Sequence, residues 1–122
     1  MADIRIAHVT VDCAGEASAL AEFYAQLLGK AVDEGASQYF ATIGRAAREV
    51  PVLMFIRVPD RTPGKNSVHL DLHTQDVQAA VDRAVALGAK HVNDYDEYGA
   101  TWTTLADPEG NLFDIGKASA NG

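Results

Sequence analysis

Residues 67–76 read "SVHLDLHTQD". Taken as a strand, the stretch turns Val68, Leu70 and Leu72 to one face and His69, Asp71 and His73 to the other. An apolar face backed by a polar one is ordinary for a half-buried strand. Two imidazoles with a carboxylate between them are less so, and that face is either solvated or the wall of a site. An earlier segment, "RIAHVTVDC", has the same build, with Ala7, Val9 and Val11 opposite His8, Thr10 and Asp12. Asp12 and Asp71 are candidates for a general acid or base, or for plain hydrogen bonds to Thr10 and nearby backbone.

The elements that carry these residues follow from periodicity. After the first strand, "EASALAEFYAQLLG" puts Ala17, Leu20, Phe23, Tyr24, Leu27 and Leu28 at helical spacing, with Gly29 as the stop. "KAVDE", "QYFATIG" and "PVLMFIRV" read as three short strands, separated by "GAS" and "RAARE" turns. "PDRTPGKN" (59–66), with two prolines and a glycine, is the linker. The order then restarts: a strand in "SVHLDLH", a helix in "DVQAAVDRAVALG" capped by Asp76, and strands in "KHVNDY", "TWTTLAD" and "NLFDIG". In that helix Val77, Ala80, Val81, Ala84 and Leu87 face inward and Gly88 is the stop. The expected fold is α+β: two tandem βαβββ modules, about 4–58 and 67–117, within one domain spanning 1–122.

Composition excludes several classes. The formal net charge of −7 leaves no basic stripe for nucleic acid. No apolar run reaches membrane-spanning length, and the N-terminus lacks a signal-peptide pattern. One cysteine, Cys13, forms no intrachain disulfide and reads as small core filler in a cytoplasmic protein.

"FYAQLLG" in the first helix, "HLDL" opening the second half and "DPEGNLFDI" closing it resemble the vicinal oxygen chelate superfamily, over about residues 4–117. That group includes glyoxalase I, fosfomycin-resistance enzymes, extradiol dioxygenases and bleomycin-resistance proteins. The resemblance implies curled mixed sheets, each with its helix on the outer face and a concave cleft holding a small-molecule ligand. It also implies metal ligands on the first, fourth, fifth and eighth strands. His8 and His69 match the first and fifth positions and Asp114 the eighth, while "PVLMFIRV" offers no carboxylate for the fourth. His8, His69 and Asp114 then form a two-histidine-one-carboxylate set suited to Fe(II), Mn(II) or Zn(II), with positions left open. Aspartate is one methylene shorter than the family's glutamate, about 1.3 Å of reach. The alternative is a metal-free cleft wall in which Asp114 accepts a bond from a histidine.

Thr10, Met54, Ile56 and Trp102 are expected to line the cleft, with Tyr39 as a further aromatic candidate. His73 reads as a surface or capping residue, Arg45 and Arg48 as a solvated loop, and His91 as a residue without a partner. Two functions remain. One is a metal-dependent lyase or isomerase acting on adjacent oxygens; the missing fourth-strand acid argues against glyoxalase I itself. The other is a sequestering protein of the bleomycin-resistance type without metal. The open sheet edges and the family resemblance imply a homodimer.

Overall fold

A computed structural model describes residues 6–60, 66, 68–97 and 99–117. Residues 4–5 of the expected first module, 61–65 of the linker and Ser67 lie outside the described residues. The chain divides into two compact units, residues 1–61 and 62–122. The element order is β1 (His8–Cys13), α1 (Ala17–Leu28), β2 (Phe40–Ile43), β3 (Val52–Arg57), β4 (Leu70–Thr74), α2 (Val77–Ala86), β5 (Lys90–Glu97), β6 (Ala100–Ala106) and β7 (Leu112–Lys117). The mixed α+β expectation holds, as two sheets of three and four strands with one helix each.

In the first unit the sheet order is β1-β3-β2, with β1 parallel and β2 antiparallel to β3. Alternation does the sorting: Phe55, Ala41, Ile43 and Cys13 are buried, while His8, Thr10 and Asp12 are exposed. Helix α1 packs on the buried side through Leu20, Phe23 and Tyr24. The Tyr24 ring stacks on Phe55 with centroids 5.7 Å apart. Burying each such side chain contributes about 1.5–3 kcal/mol. Cys13 is fully buried, its Sγ 3.4 Å from the Ile56 carbonyl, as its filler role requires. Gly29 ends α1 at φ 68, a left-handed position open to glycine at little cost. The helix has no side-chain cap at its start. The carbonyls of Gln38 and Ser37 accept from the amides of Ala17 and Ser18 instead.

The expected strand in "KAVDE" reduces to a single bridge, Val32 to Ile43. Asp33 follows the bridge, its amide donating to the Thr42 carbonyl at 2.9 Å. Its carboxylate accepts from the Thr42 hydroxyl (2.7 Å) and from the amides of Arg45 (2.9 Å) and Ala46 (3.2 Å). Those bonds clamp the turn after β2, and Gly35 turns the chain two residues later at φ 92. Among the described residues seven strands therefore stand where the sequence suggests eight.

In the second unit the order is β4-β7-β6-β5, with β4 parallel to β7 and the other pairs antiparallel. Phe113, Leu105 and Ile115 are buried with Val81 and Ala84 of α2. Asp76 caps α2 as expected, accepting from the Ala79 amide at 3.1 Å. Val68 departs from its expected inward place and is 78% exposed, because the ladder begins only at Leu70. Before it, Asn66 imitates a strand residue with its side chain: Nδ2 donates to the carbonyls of Val68 and Leu112, and Oδ1 accepts from the Leu112 amide.

Candidate functional site

The turn "DPEGN" fixes the start of β7. The buried carboxylate of Asp107 accepts from the amides of Glu109 (2.8 Å) and Asn111 (2.9 Å) and from the Asn111 side chain (3.1 Å). From there β7 runs antiparallel to β6 and parallel to β4, so one row of side chains crosses the sheet as Asp71, Asp114 and Thr104. The next row is His73, Gly116, Trp102 and Tyr95. Both rows lie opposite the face that buries Phe113 and Ile115 under α2.

His69 stands just before β4 and reaches over the first of these rows. Its Nε2 lies 3.1 Å from Asp114 Oδ2 and 3.2 Å from Asp71 Oδ1. Thr104 donates its hydroxyl proton to the other Asp114 oxygen at 2.5 Å. Asp114 is half-buried, and His69 and Asp71 are exposed. One donor atom from each of His69, Asp71 and Asp114 falls within a 4.8 Å group.

At these separations His69 Nε2 is within hydrogen-bonding reach of both carboxylates, and the same three groups could together hold a divalent cation. Two atoms each about 2.1 Å from a shared ion sit about 3.0 Å apart at right angles and about 3.4 Å apart at a tetrahedral angle. The observed 3.1 and 3.2 Å fall between these limits. Asp114 would bind through Oδ2 alone, with Thr104 holding Oδ1. One imidazole and two carboxylates leave positions free for water or ligand.

Beside the cluster lies an open hollow of about 330 Å³. Its lining includes His73, Thr101, Trp102, Gly116 and Lys117 along with the three donors. The Trp102 indole stacks on Tyr95 with centroids 5.2 Å apart and planes 17° apart.

The residues singled out from the sequence are distributed as follows. His69, Asp71, Asp114 and Trp102 share the open face of the second sheet. Asp71 reads from the sequence as an acid or base, and the structure sets its Oδ1 3.2 Å from His69 Nε2, beside Asp114. His8, Thr10 and Asp12 stand exposed on β1 of the first unit, in register with Val52, Met54 and Ile56 of β3. Tyr39 is exposed in the first unit, with the Arg57 guanidinium 6.0 Å from its ring. Arg45 lies over Phe40 at 5.6 Å. His91 does have a partner, Asp94 Oδ1 at 2.9 Å, because a bulge between His91 and Asn93 shifts the register. That bond, foremost, and one from the Thr103 hydroxyl hold the Asp94 carboxyl below its ordinary value.

Thr104 and Gly116 escape the sequence reading. Thr104 shares parity with Trp102, and Gly116 with Asp114, so the period-2 pattern contained the signal.

The strand–helix–strand order of both units and the match to a glyoxalase-like family model place the chain among the vicinal oxygen chelate proteins. It belongs to the family of the glyoxalase-like domain, whose model matches residues 8–116. No curated protein matches the chain in sequence. Among solved structures it is similar to a glyoxalase/bleomycin resistance protein/dioxygenase family enzyme from Burkholderia phytofirmans PsJN (TM-score 0.78, 21% identity, 95% of this chain and 100% of that one). It is also similar to a genomically encoded fosfomycin resistance protein from Listeria monocytogenes (TM-score 0.69, 12% identity, 99% and 97%). A lactoylglutathione lyase from Agrobacterium tumefaciens has TM-score 0.64 at 16% identity, covering 93% of each chain. Identities this low speak for the fold. Among the described residues no helix is long and apolar enough to cross a membrane.

Proposed function

We propose that the chain binds a small molecule on the open face of its second sheet, next to a divalent metal held by His69, Asp71 and Asp114. One observation carries this reading: a single imidazole nitrogen lies at metal-sharing distance from two carboxylates, one of them steadied by Thr104. A cation there, of the Fe(II), Mn(II) or Zn(II) type, would act as a Lewis acid toward adjacent oxygens of a ligand. The protein's own residues do the rest. Thr104 sets the Asp114 carboxylate, Asp71 and His69 hold the cluster open to the hollow, and Trp102 walls the ligand. The reaction class this supports is a lyase or isomerase step on a substrate with neighbouring oxygens. The similar lactoylglutathione lyase and fosfomycin resistance protein are consistent with it.

A second reading rests on β3, which carries no carboxylate between Val52 and Arg57. A module without that acid suits a metal-free sequestering protein. Titration calorimetry with Zn(II) and Mn(II), with elemental analysis of protein purified without chelator, decides between the two. Near-stoichiometric binding that is lost in His69→Ala supports the metal site, and no binding supports sequestration.

His8 is a further candidate donor, and Thr10, Asp12, Met54 and Ile56 are candidate ligand-contacting residues, on the open face of the first sheet. An His8→Ala titration tests the first of these. We further propose a cytoplasmic homodimer. Among the described residues β1, β4 and β5 stand at the edges of their sheets, where a second copy would add pairing.

A further inference from the structure

The row His73, Gly116, Trp102 and Tyr95 crosses four neighbouring strands on the face that carries the metal donors. Three of its members bear flat rings and the fourth bears nothing. Gly116 lies within β7, where a glycine weakens a strand and marks close approach by another group. Its backbone does not call for glycine, since its φ lies outside the left-handed region. Packing does not require it either. A Cβ there would stand 3.4 Å from the Thr101 carbonyl oxygen, 3.5 Å from Trp102 Cβ and 4.0 Å from His73 Cδ2, ordinary contact distances. The missing side chain leaves the floor of the hollow bare.

We propose that Gly116 is the floor of a slot for a planar ring, which lies against the Trp102 indole with its polar end toward His69, Asp71 and Asp114. Tyr95 stacks on Trp102 from the β5 side and fixes the plane of the indole. The other side of Trp102 looks across Gly116 toward His73. Strands lie about 4.8 Å apart, so the backbones of β4 and β6 are separated by roughly 9.6 Å. A flat ring with carbon contacts at about 3.5 Å on each face needs roughly 7 Å. One layer fits, and a flat ring stacks face to face on the Trp102 indole as a puckered ring does not. A volume of about 330 Å³ is at the small end for ligand sites and suits one or two rings. The polar end of the slot rests on the metal-site reading above; the ring preference does not.

The test uses two hydroxamic acids with the same two-oxygen head, benzohydroxamic acid with a flat ring and cyclohexanecarbohydroxamic acid with a puckered one. Calorimetry on metal-free and Zn(II)-loaded protein gives the affinities. Trp102, the single tryptophan, reports ring contact by fluorescence quenching. The flat compound should bind at least tenfold more tightly and quench Trp102. Gly116→Val should remove both the preference and the quench, and Gly116→Ala should reduce them. The Ala variant carries the test if the Val variant does not fold. Equal affinities in the wild type, no saturable binding of the flat compound, or a preference that survives in folded Gly116→Val would overturn the slot. If Zn(II) fails to bind yet the preference persists in metal-free protein, the metal reading falls and the slot stands.

Discussion

Thr104 and Asp114 face each other across the β6–β7 ladder, and the threonine hydroxyl gives its proton to Asp114 Oδ1 at 2.5 Å. This leaves Oδ2 as the oxygen turned to His69. Removing the donor by Thr104→Val should let the carboxylate swing and weaken Zn(II) binding about 10–100-fold. Titration calorimetry measures it, and an unchanged affinity would make Thr104 a bystander.

The three donors should not be equal. Asp114 is half-buried and tethered, whereas Asp71 is exposed and has more freedom. Asp114→Ala and His69→Ala are expected to abolish measurable Zn(II) binding, and Asp71→Ala to weaken it while leaving it measurable. The reverse ranking of the two aspartates would refute the assignment of Asp114 as the anchored ligand.

Asp107 organises the turn that launches β7, with a buried carboxylate accepting three bonds. Asp107→Ala should cost about 2–4 kcal/mol by denaturant unfolding, since hydrogen bonds to a charged acceptor are lost and the turn amides are left unpaired. A loss under 0.5 kcal/mol, roughly the scale of ordinary surface changes, would contradict this role.

Asp33 makes stability depend on acid. Burial pushes its carboxyl upward, but the Thr42 hydroxyl, the Arg45 and Ala46 amides and the Arg45 charge outweigh it, leaving the group below its ordinary value of 3.8. A carboxyl lowered in the folded state stabilises the fold above its unfolded value, and that contribution is lost as pH falls through the folded one. Asp33→Asn should therefore lower the melting temperature at pH 7 and flatten its decline below about pH 4. An acid limb identical to wild type would be the contrary result.

For the proposed homodimer, sedimentation equilibrium at micromolar concentration should give twice the 13.0 kDa chain mass. A single monomeric species would reject it.

How much of this was legible beforehand depends on where local rules met competition. The helices announced themselves through Leu20, Phe23 and Tyr24, through Val81 and Ala84, and through Gly29 and Asp76, because spacing and caps act within a few residues. Parity placed Asp71 and Asp114 on the polar side of β4 and β7 for the same reason, while His69 lies one residue ahead of β4. The failures involve side chains that replace or interrupt backbone pairing. Asp33 spends its carboxylate on amides of a turn twelve residues away, and the bulge near Val92 gives His91 its partner. The approach of Asp71 to His69 depends on where the ladder starts, which is set by Asn66 reaching β7.

The parallel pairing of β4 with β7 has a kinetic consequence. Leu70 meets Phe113 and Asp71 meets Asp114, so the first strand of this half finds its neighbour only after the intervening chain has been threaded into place. Contacts so far apart in sequence carry a large loop-closure cost and form slowly. Antiparallel hairpins such as β5–β6 and β6–β7 close across short turns and have no such delay. The two carboxylates of the cluster are thus paired across the strand contact of greatest sequence separation in this half, the one with the larger loop-closure cost.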